Sequence, residues 1–358
     1  MDRTLTDIAM SGRAGARIPG LKAIGAWEYL PVTDKGCLVE FEAEMPAVGP
    51  RDLLVKVEAV AVNPVDTKIR KSLGNNRLEE PRILGFDAAG IVVSGGGGFS
   101  EGDEVFYAGD VTRAGSNAEF QAVDSRLVAR KPAAWTFAEA AALPLVGLTA
   151  WELLFERMGI DVNGGDSGKA LFVINGAGGV GSALIPLARS AGLRVIATAA
   201  RPETVAWCMA LGAEAVVNHR ENLREQVERL GFTEFPYIVN LYDTEAYWET
   251  TSDLLAPLGT LGLIVETVNP VDIGNPLRLK SPRIVWEYMP TRARFQTPDM
   301  HRQGEILAEL ARRADAGAFP KLGTREFDGI SAENLRVAHA AMEQGLAYGK
   351  WVLAGGLA

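Results

Sequence analysis

Thiol and imidazole are scarce in this chain: its 358 residues include two cysteines, Cys37 and Cys208, and three histidines. Two thiols cannot build a disulfide framework, so a reducing compartment, the cytoplasm, is the expected location. Basic runs are also missing. The net charge of −9 repels a polyanion, and no Lys/Arg-rich stretch offers a local exception, which argues against a nucleic-acid partner. The first twenty residues hold no apolar h-region and read as a loosely ordered tail rather than a secretory signal. Nineteen uncharged residues separate Lys169 from Arg189, enough to cross a bilayer. Four glycines, Asn175 and Pro186 interrupt that run, so a strand, a turn and a helix explain it better than a membrane span.

The composition, 47% hydrophobic and 23% charged, suits a globular protein of about two domains. From Leu21 to about Arg130 the segments are short and β-rich. LLVKVEAVAV (53–62), AGIVVS and DEVFYAG are separated by GGGG at 95–98 and by Gly102, the pattern of a largely antiparallel, barrel-like domain. From Thr136 the character turns helical. Thr136 is placed as an N-cap, with Glu139 three residues on completing a capping box. Strands and helices then alternate: ALFVIN, SALIPLARSAG, LRVIATA, PETVAWCMALGA, AVVN, NLREQVERLG, YIVNLYD, YWETTSDLLAPLG and GTLGLIVE. Alternation predicts a parallel, doubly wound sheet. The expected division is 1–145, 146–285, and 286–358 returning to the first domain.

Asn175-Gly176-Ala177-Gly178-Gly179-Val180-Gly181 follows an apolar strand and opens a helix, the context that raises a GxGxxG above chance. Gly176 is read as permitting the tight turn, Gly178 as admitting a pyrophosphate, and Gly181 as allowing close helix–strand packing. The phosphates are expected on the free amides of the helix at Ser182. The second strand ends Thr198-Ala199-Ala200-Arg201, without the acid that usually bonds a 2′-hydroxyl. Arg201 and Ala200 there favour NADPH, because a guanidinium pairs with a 2′-phosphate that a carboxylate repels. The alternative for Arg201 is a solvated loop charge.

AVAVNPVDTKIR, PRILGFDAAGIVV, GSNAEFQAVD, EAAALPLVGLTAWE, NGAGGVGS and LGAEAVVNHRE occur in this order along nearly the whole chain. The set resembles the zinc-independent quinone oxidoreductase (zeta-crystallin-like) branch of the medium-chain dehydrogenase/reductase superfamily. The resemblance implies a GroES-like β-barrel catalytic lobe beside a Rossmann doubly wound parallel sheet, with NADPH between them and a homodimer as the assembly. It also locates what is missing relative to the zinc alcohol dehydrogenases. Asn63-Pro64-Val65-Asp66 stands at a C-x-x-D ligand motif, Gly85-Phe86-Asp87 at a G-H-E motif, and Leu145-Val146-Gly147 at a third cysteine. A tetrahedral site needs three or four N, S or O ligands together, so no metal is expected.

Without a Lewis acid, hydride transfer to an acceptor already activated by conjugation is the expected chemistry, to a quinone or an α,β-unsaturated carbonyl compound. Asn63 is expected to face nicotinamide and acceptor, unless the Asn63-Pro64 pair only shapes a turn. Lys68 falls where the family often has a cofactor-touching Tyr. Tyr107 is a candidate proton donor or a core aromatic. The resemblance also places Thr149 near the nicotinamide ribose, His219 of Asn218-His219-Arg220-Glu221 at the adenosine end, and Val265 at the carboxamide. Two other functions stay open: an enoyl-thioester reductase acting in trans on carrier-bound substrates, and an NADPH-binding protein with little turnover.

Overall fold

The computed structural model describes residues 20–357, and the expected N-terminal tail lies almost wholly outside them. The chain forms two units, one from residues up to 145 together with 290 onward, the other from 146–289. The return to the first unit therefore starts at 290, four residues later than the sequence suggested.

The first unit is built on β1 (Leu21–Ala26), β2 (Val39–Ala43), β3 (Asp52–Val62), β4 (Arg82–Ile83), β5 (Asp87–Ser94), β6 (Glu104–Tyr107), β7 (Phe120–Asp124) and β8 (Val128–Arg130). The β-branched run of β3 is buried along most of its length, because β5, β7 and a C-terminal strand all pair with it antiparallel. Val55, Val57, Val105, Leu127 and Leu353 pack into one apolar core beneath it. The C-terminal segment adds strands to this sheet as well as a helix, and its two strands pair parallel to each other, so the sheet is mixed rather than antiparallel throughout.

The second unit is a six-stranded parallel sheet of β9 (Ala170–Ile174), β10 (Arg194–Thr198), β11 (Ala215–Val217), β12 (Phe235–Asn240), β13 (Leu255–Leu263) and β14 (Arg283–Trp286). Its order is β11-β10-β9-β12-β13-β14. The order reverses between β9 and β12, and in such sheets ligands bind beyond the strand ends at that switch point. Two sequence expectations need correction. The helix expected over 247–259 stops at Leu254, and β13 starts at once, carrying Leu258 with φ 61°. The short edge strand β14 was not anticipated. The chain closes with β15 (Gly323–Ile330) and β16 (Lys350–Leu357) of the first unit.

The capping box at Thr136 forms as expected: Glu139 N donates to Thr136 Oγ1 at 3.2 Å, and Thr136 N to Glu139 Oε2 at 2.9 Å. Its helix, Phe137–Ala141, gives way to a second at Pro144–Trp151 and then a π-helical turn over Glu152–Arg157. This Phe137–Arg157 stretch is the one part of the described residues long and apolar enough to cross a membrane, and 83% of its apolar window is buried. It is a core element. The 169–189 run forms β9 and a helix.

Polar groups also lie inside the first unit. Arg70 is fully buried, donates to Leu30 O at 3.2 Å and pairs with Glu343. His339, on the helix Ala332–Glu343, is equally buried, and neither ring nitrogen has a hydrogen-bond partner. Burial, reinforced by the Arg70 charge, pushes the imidazole pKa down from 6.5 to about 3. The folded state thus refuses a proton that the unfolded chain accepts. Stability from this group is complete above the unfolded pKa and drains away as pH falls toward the folded one. Between pH 7 and about pH 4.5 this should remove roughly 2–3 kcal/mol. Thermal melts of His339→Leu should therefore fall less steeply over that range than those of the parent protein; parallel slopes would contradict the assignment.

Candidate functional site

The loop after β9 is tied to the end of β10. Asn175 N donates to Thr198 Oγ1 at 2.9 Å and Gly176 N to Thr198 O at 3.1 Å. The left-handed residue of the turn is Asn175, with φ 65°, a conformation Asn tolerates better than most side chains. Gly176 serves clearance rather than the turn: a Cβ there would lie 2.7 Å from Ala197 Cβ and 3.2 Å from Cys208 Sγ. At Gly181 a Cβ would come within 2.4 Å of Gly176 O and 2.6 Å of Asn175 O, the close helix–strand approach expected of it. A Cβ at Gly178 would meet Asn175 Nδ2 at 2.7 Å, so its smallness also makes room for the loop's own amide.

The helix starts at Gly179 and runs to Ser190, earlier than the Ser182 start read from the sequence. Ser182 N bonds to Gly178 O at 2.8 Å. The amides of Gly179, Val180 and Gly181 precede that bond, leaving them without intrahelical acceptors in the positive field of a twelve-residue helix. Ala177 is buried. Trp207 Nε1 donates to Ser182 Oγ at 2.8 Å, fastening the next helix to this one.

Past β10, Ala200 and Arg201 are half-buried. Arg201 caps the helix Pro202–Ala210, its N–H donating to Thr204 Oγ1 at 3.1 Å. Its Nε lies 3.1 Å from Glu203 Oε1, so Glu203 is more than a first-turn charge. An exposed pair of this kind contributes under about 1 kcal/mol and is readily exchanged. His219 follows β11 and is exposed. Partial burial, then the charges of Arg220 and Arg201, hold its imidazole below the usual pKa. Basic groups from two strand ends therefore converge at this corner of the sheet. Thr149 is buried on the helix Pro144–Trp151. Val265 lies two residues past β13, and its carbonyl accepts from Thr244 Oγ1 at 2.6 Å.

In the first unit, Asn63 caps the helix Pro64–Ser72 and is 1% exposed. Its Nδ2 donates to Asp87 Oδ2 at 2.8 Å, and its Oδ1 accepts from Lys350 Nζ. The Lys350 ammonium also donates to Asp87 Oδ2 at 2.7 Å and to Val62 O at 3.2 Å. Asp87 Oδ1 accepts from Leu145 N at 2.7 Å. Close by, Asn63 N donates to Asp66 Oδ2 at 2.8 Å, and burial raises the Asp66 carboxyl to about 7. The Asn63 amide is thus committed inside the protein, which corrects its expected role facing nicotinamide and acceptor. Tyr107 is corrected likewise: it is fully buried in the barrel core, its hydroxyl has no hydrogen-bond partner, and burial raises its pKa. Lys68 is exposed on the helix that Asn63 caps.

Sequence reasoning missed Asp87 as a hub and Lys350 altogether. A signal existed for Lys350, a cation opening the apolar strand KWVLA, since lysine is almost never fully buried without a partner.

Residues 49–144 match the alcohol dehydrogenase GroES-like domain, and 179–301 the zinc-binding dehydrogenase family. A zinc-type alcohol dehydrogenase-like protein of Staphylococcus aureus is 39% identical over 93% of this chain and 99% of its own length. The NADPH-dependent alkenal/one oxidoreductase of Arabidopsis thaliana is 36% identical over 61% of this chain and 58% of its own. The crystal structure of a candidate zinc-dependent alcohol dehydrogenase from Rhizobium etli superposes with a TM-score of 0.88 at 41% identity, covering 94% of this chain and 98% of that one. With a GroES-like unit, a Rossmann-type parallel sheet and this breadth of identity, the chain belongs to the medium-chain dehydrogenase/reductase superfamily of oxidoreductases.

Proposed function

We propose that this oxidoreductase is zinc-independent, uses NADPH, and reduces conjugated acceptors, namely α,β-unsaturated ketones or aldehydes and quinones. The observation that carries the reading is the amide of Asn63, standing where a metal-binding cysteine aligns and already bonded to Asp87 and Lys350. Zinc is bound by thiolate, imidazole or carboxylate. Here the positions that align with metal ligands hold the Asn63 amide, Phe86 and the Leu145-Val146-Gly147 segment, which offers no side-chain donor, and among the described residues no three His, Cys, Asp or Glu side chains group to hold a metal. The residues do not fit zinc. An unactivated alcohol then lacks the metal ion that would lower its pKa, whereas a conjugated carbonyl accepts hydride at its β-carbon without one.

The residues do fit a dinucleotide. The amides of Gly179, Val180 and Gly181 suit its pyrophosphate, and Arg201 with His219 suits a 2′-phosphate. When bound, NADPH supplies the hydride. The name of the Arabidopsis relative joins the same cofactor to alkenals and enones, which supports the pairing. With Asn63 and Tyr107 both committed to the interior, water is the proton source that remains for the enolate.

Two measurements test this. Purified protein should oxidise NADPH with an enone or a quinone, should not oxidise simple alcohols, and should keep its rate in a chelator. Alcohol oxidation that disappears on chelation, with one zinc per chain, would overturn the reading. Arg201→Ala should weaken NADPH binding by roughly ten- to a hundredfold, the loss of a charge-assisted pair of about 1.5–3 kcal/mol, and leave NADH nearly unchanged. Equal losses for both cofactors would remove Arg201 from the 2′-phosphate site.

A further inference from the structure

We propose that Glu203 competes with the 2′-phosphate of NADPH for the Arg201 guanidinium, and so limits how far NADPH is preferred over NADH. The inference rests on the reading of Arg201 as the 2′-phosphate residue and goes beyond it by giving an acid of the same turn an opposing role.

Both side chains leave one fixed turn. Arg201 N donates to Thr204 Oγ1 at 3.1 Å, Thr204 Oγ1 donates back to Arg201 O at 2.8 Å, and Pro202 opens the helix with its φ locked by the ring. From this turn Arg201 Nε reaches Glu203 Oε1 at 3.1 Å. Among the described residues no other hydrogen bond or ion pair holds the Glu203 carboxylate. An acid that nothing else holds cannot keep a guanidinium in place for a ligand. Glu203 is a rival anion, not a support.

The exchange is cheap. The two side chains are 27% and 49% exposed, and ion pairs in contact with water are weak. Released from Arg201, Glu203 stays in the first turn of a nine-residue helix, where the dipole still favours its charge. A phosphate offers the guanidinium more charge and a bidentate grip. It displaces the carboxylate, then meets it as a like charge. NADH carries a hydroxyl at that place and leaves the Arg201–Glu203 pair intact. The rest of the corner favours an anion, since Arg201 and Arg220 both act on His219. Glu221, which follows β11, is engaged by Asn218 Nδ2 at 2.8 Å.

The test is isothermal titration calorimetry of the purified protein with NADPH and with NADH. Glu203→Gln should tighten NADPH binding about two- to fivefold, the range an exposed ion pair spans, and change NADH binding by less than about twofold. In an Arg201→Ala background the same substitution should leave NADPH binding unchanged, because the contested group is gone. NADPH binding that is unchanged or weaker in Glu203→Gln overturns the inference, as does an equal gain for NADH. A gain of full size in the Arg201→Ala background overturns it too, since that gain is plain repulsion between carboxylate and phosphate. Each of these results leaves the reading of Arg201 standing where Arg201→Ala alone weakens NADPH and spares NADH. Equal losses of both cofactors in Arg201→Ala overturn that reading and this inference together.

Discussion

The ion pair between Lys350 and Asp87 sets the conditions for much of the first unit. Taking an ammonium and a carboxylate out of water is costly, and the interior repays it only when geometry and further hydrogen bonds satisfy both groups. The protein meets that condition by drawing in four separate stretches of chain: the end of β3 with the cap at Asn63, the start of β5, the backbone at Leu145, and the start of β16. Each contributes an atom the charges need. A shift of any one would strand a buried charge, so the pair specifies where these stretches must meet even if its net contribution to stability is small.

The second unit meets a different constraint, that of close approach. Gly176 and Gly181 are required because the loop, the sheet and the following helix leave no room for a Cβ. The same compactness brings three helix amides to the switch point of the sheet, and the next strand end adds Arg201. Packing alone thus makes a strict demand on these positions.

Features governed by neighbours in sequence were legible. The Thr136–Glu139 capping box, the loop glycines and most alternating strands and helices depend on spacing alone. β13 was misplaced because DLLAPLG carries helix-forming residues up to a proline, whereas the chain turns into strand at Leu255. β14 offers only four residues, Arg283–Trp286, too few to display a period. The reading of Asn63 failed for a physical reason. Its partners Asp87 and Lys350 stand 24 and 287 residues away, and no local pattern announces that an amide will be consumed by them. Tyr107 shows the other limit, since strand alternation gives two faces but not which of them is dry.

The discontinuity of the first unit bears on how the chain assembles itself. β16 lies between β15 and β3 in the middle of the sheet, so a ribosome must release the whole of 146–289 before that sheet can close. Domains generally fold as they emerge, which here makes the second unit the earlier to finish while the first waits, its β3 edge unpaired, for the last strand. Long-range pairing of this kind is slow and leaves sticky edges open. In the interval the nascent chain carries a finished parallel-sheet unit inserted into an unfinished barrel.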